Sequence, residues 1–192
     1  KVRAFVPDIT FSLGNGQLID LFFYDPASQS FQLNQDAAQV ILEAAGNVGF
    51  IFNIGHPSVG KSFTLNHIMD LPPGQNGLTE HTRGIKMWTK PLGREAENLH
   101  LFFIDVQGFT EDQVFRDFVW FLAFFMGTIV IYTSSGPIDD YTWSDFASFE
   151  FIANKLIISD DPTENEYSIG YYAPKMIWLL KDLVLPADEA RT

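Results

Sequence analysis

Apolar and polar positions along the chain already lay out strands and helices. Phe11-Ser-Leu and Gln17–Tyr24 flank Gly14-Asn15-Gly16, which predicts an N-terminal β hairpin, with a turn beginning at Asp25-Pro26. From about Gln35 to Ala45, the residues Ala37, Val40, Ile41 and Ala44 fall on one face of a helix. Asn34 is placed to cap it and Gly46 to end it. Val48–Ile54 is a continuous apolar run, the pattern of a strand buried on both faces of a parallel sheet. Ser62–Met69 reads as helix and Leu71–Gly77 as a Pro/Gly loop; Ile85–Thr89 and Leu99–Ile104 read as strands joined by a polar connection, Lys90–Asn98. Helix Asp112–Met126, strand Thr128–Thr133, helix Ile138–Leu156, an acidic surface loop Ser159–Glu166 and strand Lys175–Leu180 complete the pattern. Strands alternating with helices in this order predict an α/β fold with a mostly parallel central sheet flanked by helices.

Composition narrows the class. A chain of 192 residues suits one domain, and with 46% apolar residues and 19 Phe it has ample material for a core. The formal charge of −12 argues against a nucleic-acid binder, which needs a basic stripe, and against flat docking on anionic lipid. No cysteine is present, so disulfides, thiolate metal sites and Cys nucleophiles are excluded. The start, Lys1-Val-Arg-Ala-Phe-Val-Pro-Asp, has neither an initiator Met nor the apolar core of a signal peptide, and reads as a trimmed beginning. Phe118–Tyr132 is uncharged but shorter than the roughly 20 residues that span a bilayer, and Gly127 divides it. It reads as a buried helix end, a turn and a central strand.

One segment carries chemistry. Gly55-His-Pro-Ser-Val-Gly-Lys-Ser62 matches G-x-x-x-x-G-K-[ST], and it follows an apolar strand and opens a helix. That context suits a phosphate loop: glycines let backbone N–H groups turn inward, and the helix N-terminus adds its positive dipole end. The expected fold is therefore of the P-loop NTPase type. Lys61 would reach the β- and γ-phosphates and the Ser62 hydroxyl would ligate Mg²⁺. Leu101–Asp105 is an apolar strand ending in a carboxylate, which places Asp105 near the same ion, and Gly108 could offer its N–H to a γ-phosphate. Other groups read as bland. The histidines lack metal-ligand spacing, with His56 and His67 structural, and Asp139, Asp140 and Asp145 make a helix-start charge and a solvated face.

His81-Thr-Arg-Gly-Ile-Lys-Met-Trp88 resembles the switch I segment of guanylate-binding proteins, HTxGIxMW. Asp105-Val-Gln-Gly108 resembles their DxxG motif, and Ile177-Trp-Leu-Leu-Lys-Asp182 is similar to their apolar strand ending in Arg-Asp. Order and spacing resemble the guanylate-binding protein and atlastin group of dynamin-like large GTPases over about Phe31 to Leu183. The resemblance implies that Thr82 completes the Mg²⁺ shell with Ser62 and Asp105 and senses the γ-phosphate. It also implies that Asp182, after Lys181, accepts from the guanine edge. GTP or GDP would then lie against Gly55, His56, Pro57, Ser58, Val59, Gly60, Lys61, Ser62 and Phe63, with Gly108, Lys181 and Asp182. Lys61, Thr82 and Arg83 would be the catalytic set.

Three positions depart from that pattern. Guanylate-binding proteins carry an arginine in the P-loop where Ser58 stands, Ser where Glu80 stands, and Arg where Lys181 stands. An arginine on the transferred phosphoryl group is worth about 10³–10⁵ in rate, so slow hydrolysis is expected unless Arg83 substitutes. Two readings follow: a GTPase whose hydrolysis drives conformational change or nucleotide-dependent homodimerisation, or a catalytically impaired GTPase-like domain serving as a structural or interaction module in a larger assembly. The resemblance further implies a cytoplasmic protein, attached to membranes or assemblies only through other regions. Residues 1–192 would form a single large-GTPase domain, incomplete at its C-terminal end and part of a longer chain.

Overall fold

The apolar run at Val48–Ile54 becomes the middle of the sheet, and its alternating side chains feed two separate cores. The computed structural model describes residues 16–25, 27–44, 46–69, 84–94, 98–136, 138–155 and 173–182. In chain order the elements are β1 (Leu18–Asp25), β2 (Ser30–Leu33), α1 (Gln35–Glu43), β3 (Asn47–Gly55), α2 (Lys61–Ile68) and β4 (Ile85–Trp88). After them come β5 (Leu92–Arg94), β6 (Leu99–Val106), α3 (Gln113–Met126), β7 (Gly127–Ser135), α4 (Asp140–Lys155) and β8 (Lys175–Lys181).

The sheet runs β2-β1-β4-β6-β3-β7-β8, with β5 pairing β6. Strands β6, β3, β7 and β8 are mutually parallel, whereas β1, β2, β4 and β5 pair antiparallel. The α/β reading stands, with a mixed sheet whose parallel half leads into the candidate phosphate loop at the end of β3. On one face Phe50, Phe52, Ile54, Phe102, Ile104, Val130 and Tyr132 pack with Phe115, Val119, Trp120 and Ala123 of α3. On the other, Ile51, Phe103 and Ile131 pack with Leu65 and Met69 around α2 and with Trp88. A strand that must be apolar on both sides cannot alternate, which is why β3 reads as an apolar run in which, between Val48 and Ile54, only Asn53 is polar.

Near the N-terminal end of the described residues β1 forms a hairpin with β2, closed across a turn where Asp25 accepts from the Ala27 N–H at 2.9 Å and the Ser28 hydroxyl at 2.6 Å. The Phe11–Leu13 arm expected ahead of β1 lies outside the described residues. So do Leu71–Gly77, Ser159–Glu166 and His81, Thr82 and Arg83. The connection Lys90–Asn98 is not wholly irregular, because Leu92–Arg94 pairs with Leu99–Leu101. Three residues are too few to show a period, and only the partner strand defines them. No turn separates α3 from β7: Gly127 caps the helix and opens the strand, and a Cβ there would meet the Ala123 carbonyl at 2.2 Å. Among the described residues, no helix is long and apolar enough to cross a membrane.

Caps set the helix starts. Asn34 accepts from the Asp36 N–H at 3.0 Å and its amide donates to the Asp20 carbonyl at 2.7 Å, joining α1 to β1. Asn34→Ala is expected to cost about 1 kcal/mol, read as a lower denaturant midpoint with an unchanged slope. Asp112 caps α3 through the Phe115 N–H at 3.0 Å and also accepts the Tyr24 hydroxyl, which holds the Tyr24 pKa up at about 12.

Candidate nucleotide site

The carboxyl ends of β3, β6, β7 and β8 meet at one edge of the sheet, where open α/β folds bind their ligands. Between β3 and α2 the chain turns through Gly55 (φ +129°), Ser58 (φ +60°) and Gly60 (φ +74°). Three left-handed residues within six positions curl the backbone into a concavity at the start of α2, the shape in which N–H groups face an anion. Gly55 is required there for a second reason: a Cβ would sit 2.1 Å from the Thr133 carbonyl oxygen on the adjacent strand.

Lys61 is only 6% exposed, and its ammonium donates to the His56 carbonyl at 2.7 Å, spanning the loop. Burial pulls its pKa down to about 8; Asp105 pushes it back up, and Lys181 adds a smaller downward repulsion. A desolvated ammonium of this kind is poised for an anionic partner. Beside it, the Ser62 hydroxyl donates to Asp105 at 2.8 Å, and Asn53 donates to the other Asp105 oxygen at 3.1 Å. Asn53 and Asp105 stand opposite each other in the parallel β3–β6 register, and both are fully buried. Asn53 had no sequence signal beyond a polar residue inside an apolar strand.

The residues fit Mg²⁺. A hydroxyl and a carboxylate converge at the foot of the loop, and among the described residues no cluster of three or more His, Cys, Asp or Glu exists to cage a metal alone. Mg²⁺ typically takes one or two protein carboxylates and completes its shell with water and substrate phosphates. Thr82, the third expected ligand, lies outside the described residues.

The DxxG segment packs directly on the loop. Phe109 N–H donates to the Gly55 carbonyl at 3.0 Å, and Gly108 lies so close that a Cβ would meet Pro57 Cα at 2.2 Å. Gln107 pairs twice with Gly84 at the start of β4: its N–H donates to the Gly84 carbonyl at 2.8 Å, and its side-chain oxygen accepts the Gly84 N–H at 3.0 Å. The described residue nearest the Thr82–Arg83 segment is thereby tied to the DxxG strand. This link was not readable from the sequence, because the two middle positions of DxxG accept many residues.

At the end of β8, the Lys181 ammonium donates to the Gly60 carbonyl at 3.1 Å and stands 6.0 Å from the exposed Phe63 ring. Asp182 takes φ +54°, and one oxygen accepts from Ser135 at 3.1 Å. Of the nucleotide-binding set, Gly55 through Phe63, Gly108, Lys181 and Asp182 thus gather at one edge, with Val59 half-buried and Pro57 and Ser58 exposed. Arg83 joins Thr82 outside the description.

One expectation needs correction. Asp145 is not on a solvated face: it is 2% exposed, accepts the Tyr132 hydroxyl at 2.7 Å and Arg116 at 3.2 Å, and lies 3.3 Å from His56 Nε2. This carboxylate of α4 therefore sits against the Gly55–Ser62 loop. A neighbouring arginine and histidine offset it, and only the fold brings them together.

No curated protein matches this chain. The family model described as Guanylate-binding protein, N-terminal domain, matches residues 28–191. That span covers β2 through β8 and every site element above, so the chain belongs to the guanylate-binding protein family and carries its large GTPase domain.

Proposed function

We propose that this domain binds a guanosine triphosphate with Mg²⁺ at the β3–α2 loop and hydrolyses it slowly. The observation that carries the reading is the convergence of Lys61, Ser62 and Asp105, with Lys61 desolvated and Ser62 and Asp105 already 2.8 Å apart. Lys61 would exchange the His56 carbonyl for phosphate oxygens, and the loop N–H groups would hold the remaining charge locally, as an acidic protein requires. Bound Mg²⁺ would neutralise charge on the β- and γ-phosphates. Asp182 would accept from the guanine edge, and Lys181 would hold the loop at Gly60 beneath it.

Slow turnover follows from what the loop lacks. Ser58 replaces the arginine that the family supplies in cis. Gln107, in the DxxG segment, has its side-chain oxygen engaged with the Gly84 N–H, and the residue after Gly108 is a phenylalanine. Loop ordering by the γ-phosphate around Thr82 and Gly108 would be the switch that drives dimerisation or movement. Ser58 also favours a second reading, a domain kept as a scaffold with hydrolysis lost.

Titration with mant-GTP and mant-ATP in the presence of Mg²⁺ tests binding, with at least tenfold preference for the guanine nucleotide expected. Equal affinities would refute the assignment to Asp182. Single-turnover phosphate release should then rise on Ser58→Arg by 10-fold or more, by analogy with about 10³–10⁵ for a well-placed arginine finger. Ser58 already bears the left-handed φ, so arginine adds little backbone strain there. Fast wild-type release with no gain from the arginine would sink the slow-hydrolysis reading.

A further inference from the structure

Asp145 is a buried carboxylate with three side-chain partners from three different elements. Its Oδ2 accepts the Tyr132 hydroxyl of β7 at 2.7 Å and lies 3.3 Å from His56 Nε2 in the phosphate loop, and its Oδ1 accepts Arg116 of α3 at 3.2 Å. The Tyr132 hydroxyl also lies 3.2 Å from His56 Nε2, so His56, Tyr132 and Asp145 form a closed triangle. Burial raises the Asp145 pKa, while Tyr132, His56 and Arg116 act to keep it ionised.

The two ends of this cluster lead to the Gly55–Ser62 loop and to the start of α3. The His56 main chain belongs to the loop: its carbonyl holds Lys61, and its N–H donates to the Thr133 carbonyl at 3.3 Å. Arg116 sits in the first turn of α3, whose cap Asp112 follows Gly108 by four residues. A cavity of about 480 Å³, lined by Pro57, Phe109, Thr110 and Glu111 as well as Arg116 and Asp145, separates loop from helix here. The Asp145 side chain bridges them where the backbone does not.

We propose that Asp145 is a positioning residue for the nucleotide reaction: through His56 it holds the first turn of the phosphate loop, and through Arg116 it ties that turn to the helix behind the DxxG segment. The proposal rests on the nucleotide reading above. An asparagine at 145 keeps the volume but loses the charge that faces Arg116 and one of the two acceptor oxygens. The loop should then reach its phosphate-binding geometry less often, and affinity should fall.

The test compares the chain with its Asp145→Asn, His56→Gln and doubly substituted forms. Mant-GTP affinity with Mg²⁺ is measured at a temperature where circular dichroism finds each fully folded. Each single substitution should weaken binding roughly tenfold, and the pair should lose little more than one alone, because both break one link. A residue that only supports the fold would lower the melting temperature and leave affinity unchanged. Should Asp145→Asn fail to fold, Tyr132→Phe takes its place: it deletes only the hydroxyl and should be equally non-additive with His56→Gln. Unchanged affinity, or losses that multiply to about a hundredfold, overturns the proposal while the nucleotide reading stands. No mant-GTP binding by the unsubstituted chain overturns both.

Discussion

Lys61→Met is expected to abolish tight guanine-nucleotide binding and at the same time to stabilise the nucleotide-free protein. Loss of the ammonium that we propose meets the phosphates should weaken mant-GTP binding by at least about a hundredfold, since charge-assisted hydrogen bonds in a desolvated site are strong. The stabilisation follows from the lowered pKa. Below pH 8 the folded protein holds a charged, desolvated ammonium that the unfolded chain would solvate freely, and this penalty is fully present. As the pH rises from about 8 toward 10.5 the folded state loses that proton first, and the penalty fades. The shift corresponds to at most about 3 kcal/mol, part of which a methionine should recover. Urea midpoints of the two proteins should therefore differ most at pH 7 and converge by pH 10. A midpoint lowered by the substitution at pH 7 would contradict the account of Lys61 as a strained cation awaiting its ligand.

Gly108→Ala should be nearly as damaging, for a steric reason. The new methyl would meet the backbone of Pro57 at 2.2 Å, and neither the phosphate loop nor the DxxG segment has a flexible end to swing aside. Overpacking of this kind costs about 1–3 kcal/mol. The relief available is to push the loop away from Phe109, breaking its 3.0 Å hydrogen bond to Gly55. Stability should fall by that amount, and any preference for mant-GTP over mant-GDP should shrink at least tenfold, because Gly108 is the residue expected to meet the γ-phosphate. A variant that melts normally and keeps its triphosphate preference would remove Gly108 from the site.

The sequence announced the parts of the fold whose physics is local. The apolar run of β3, the capped α1 and the helix opening at Lys61 each follow from residue spacing, and each stands within a residue or two of its expected limits. The hairpin partner of β1 and the short β5 were missed because strand pairing depends on which backbone lies alongside, and a three- or four-residue strand has no period to read. The candidate phosphate loop was legible for a different reason. Glycines at 55 and 60 and a lysine before a hydroxyl are demanded by backbone geometry and charge at fixed spacing, so the chemistry is written contiguously.

What the sequence could not determine is what the fold assembles from afar. Ser62 and Asp105 are 43 positions apart and share a 2.8 Å hydrogen bond; Lys181 reaches the Gly60 carbonyl across 121 positions. Asp145 is the sharpest case. Isolated on a helix near two other aspartates, it reads as solvated, and a buried carboxylate is costly unless it is paired. Its partners come from the phosphate loop, a central strand and another helix, and nothing in the spacing of those residues foretells their meeting. By itself the sequence determined the family's motifs, the alternation of strands and helices and the loop that suits a phosphate. Tertiary structure alone decided which charges face which, because an ion pair depends on distance in space and the chain order carries no record of it.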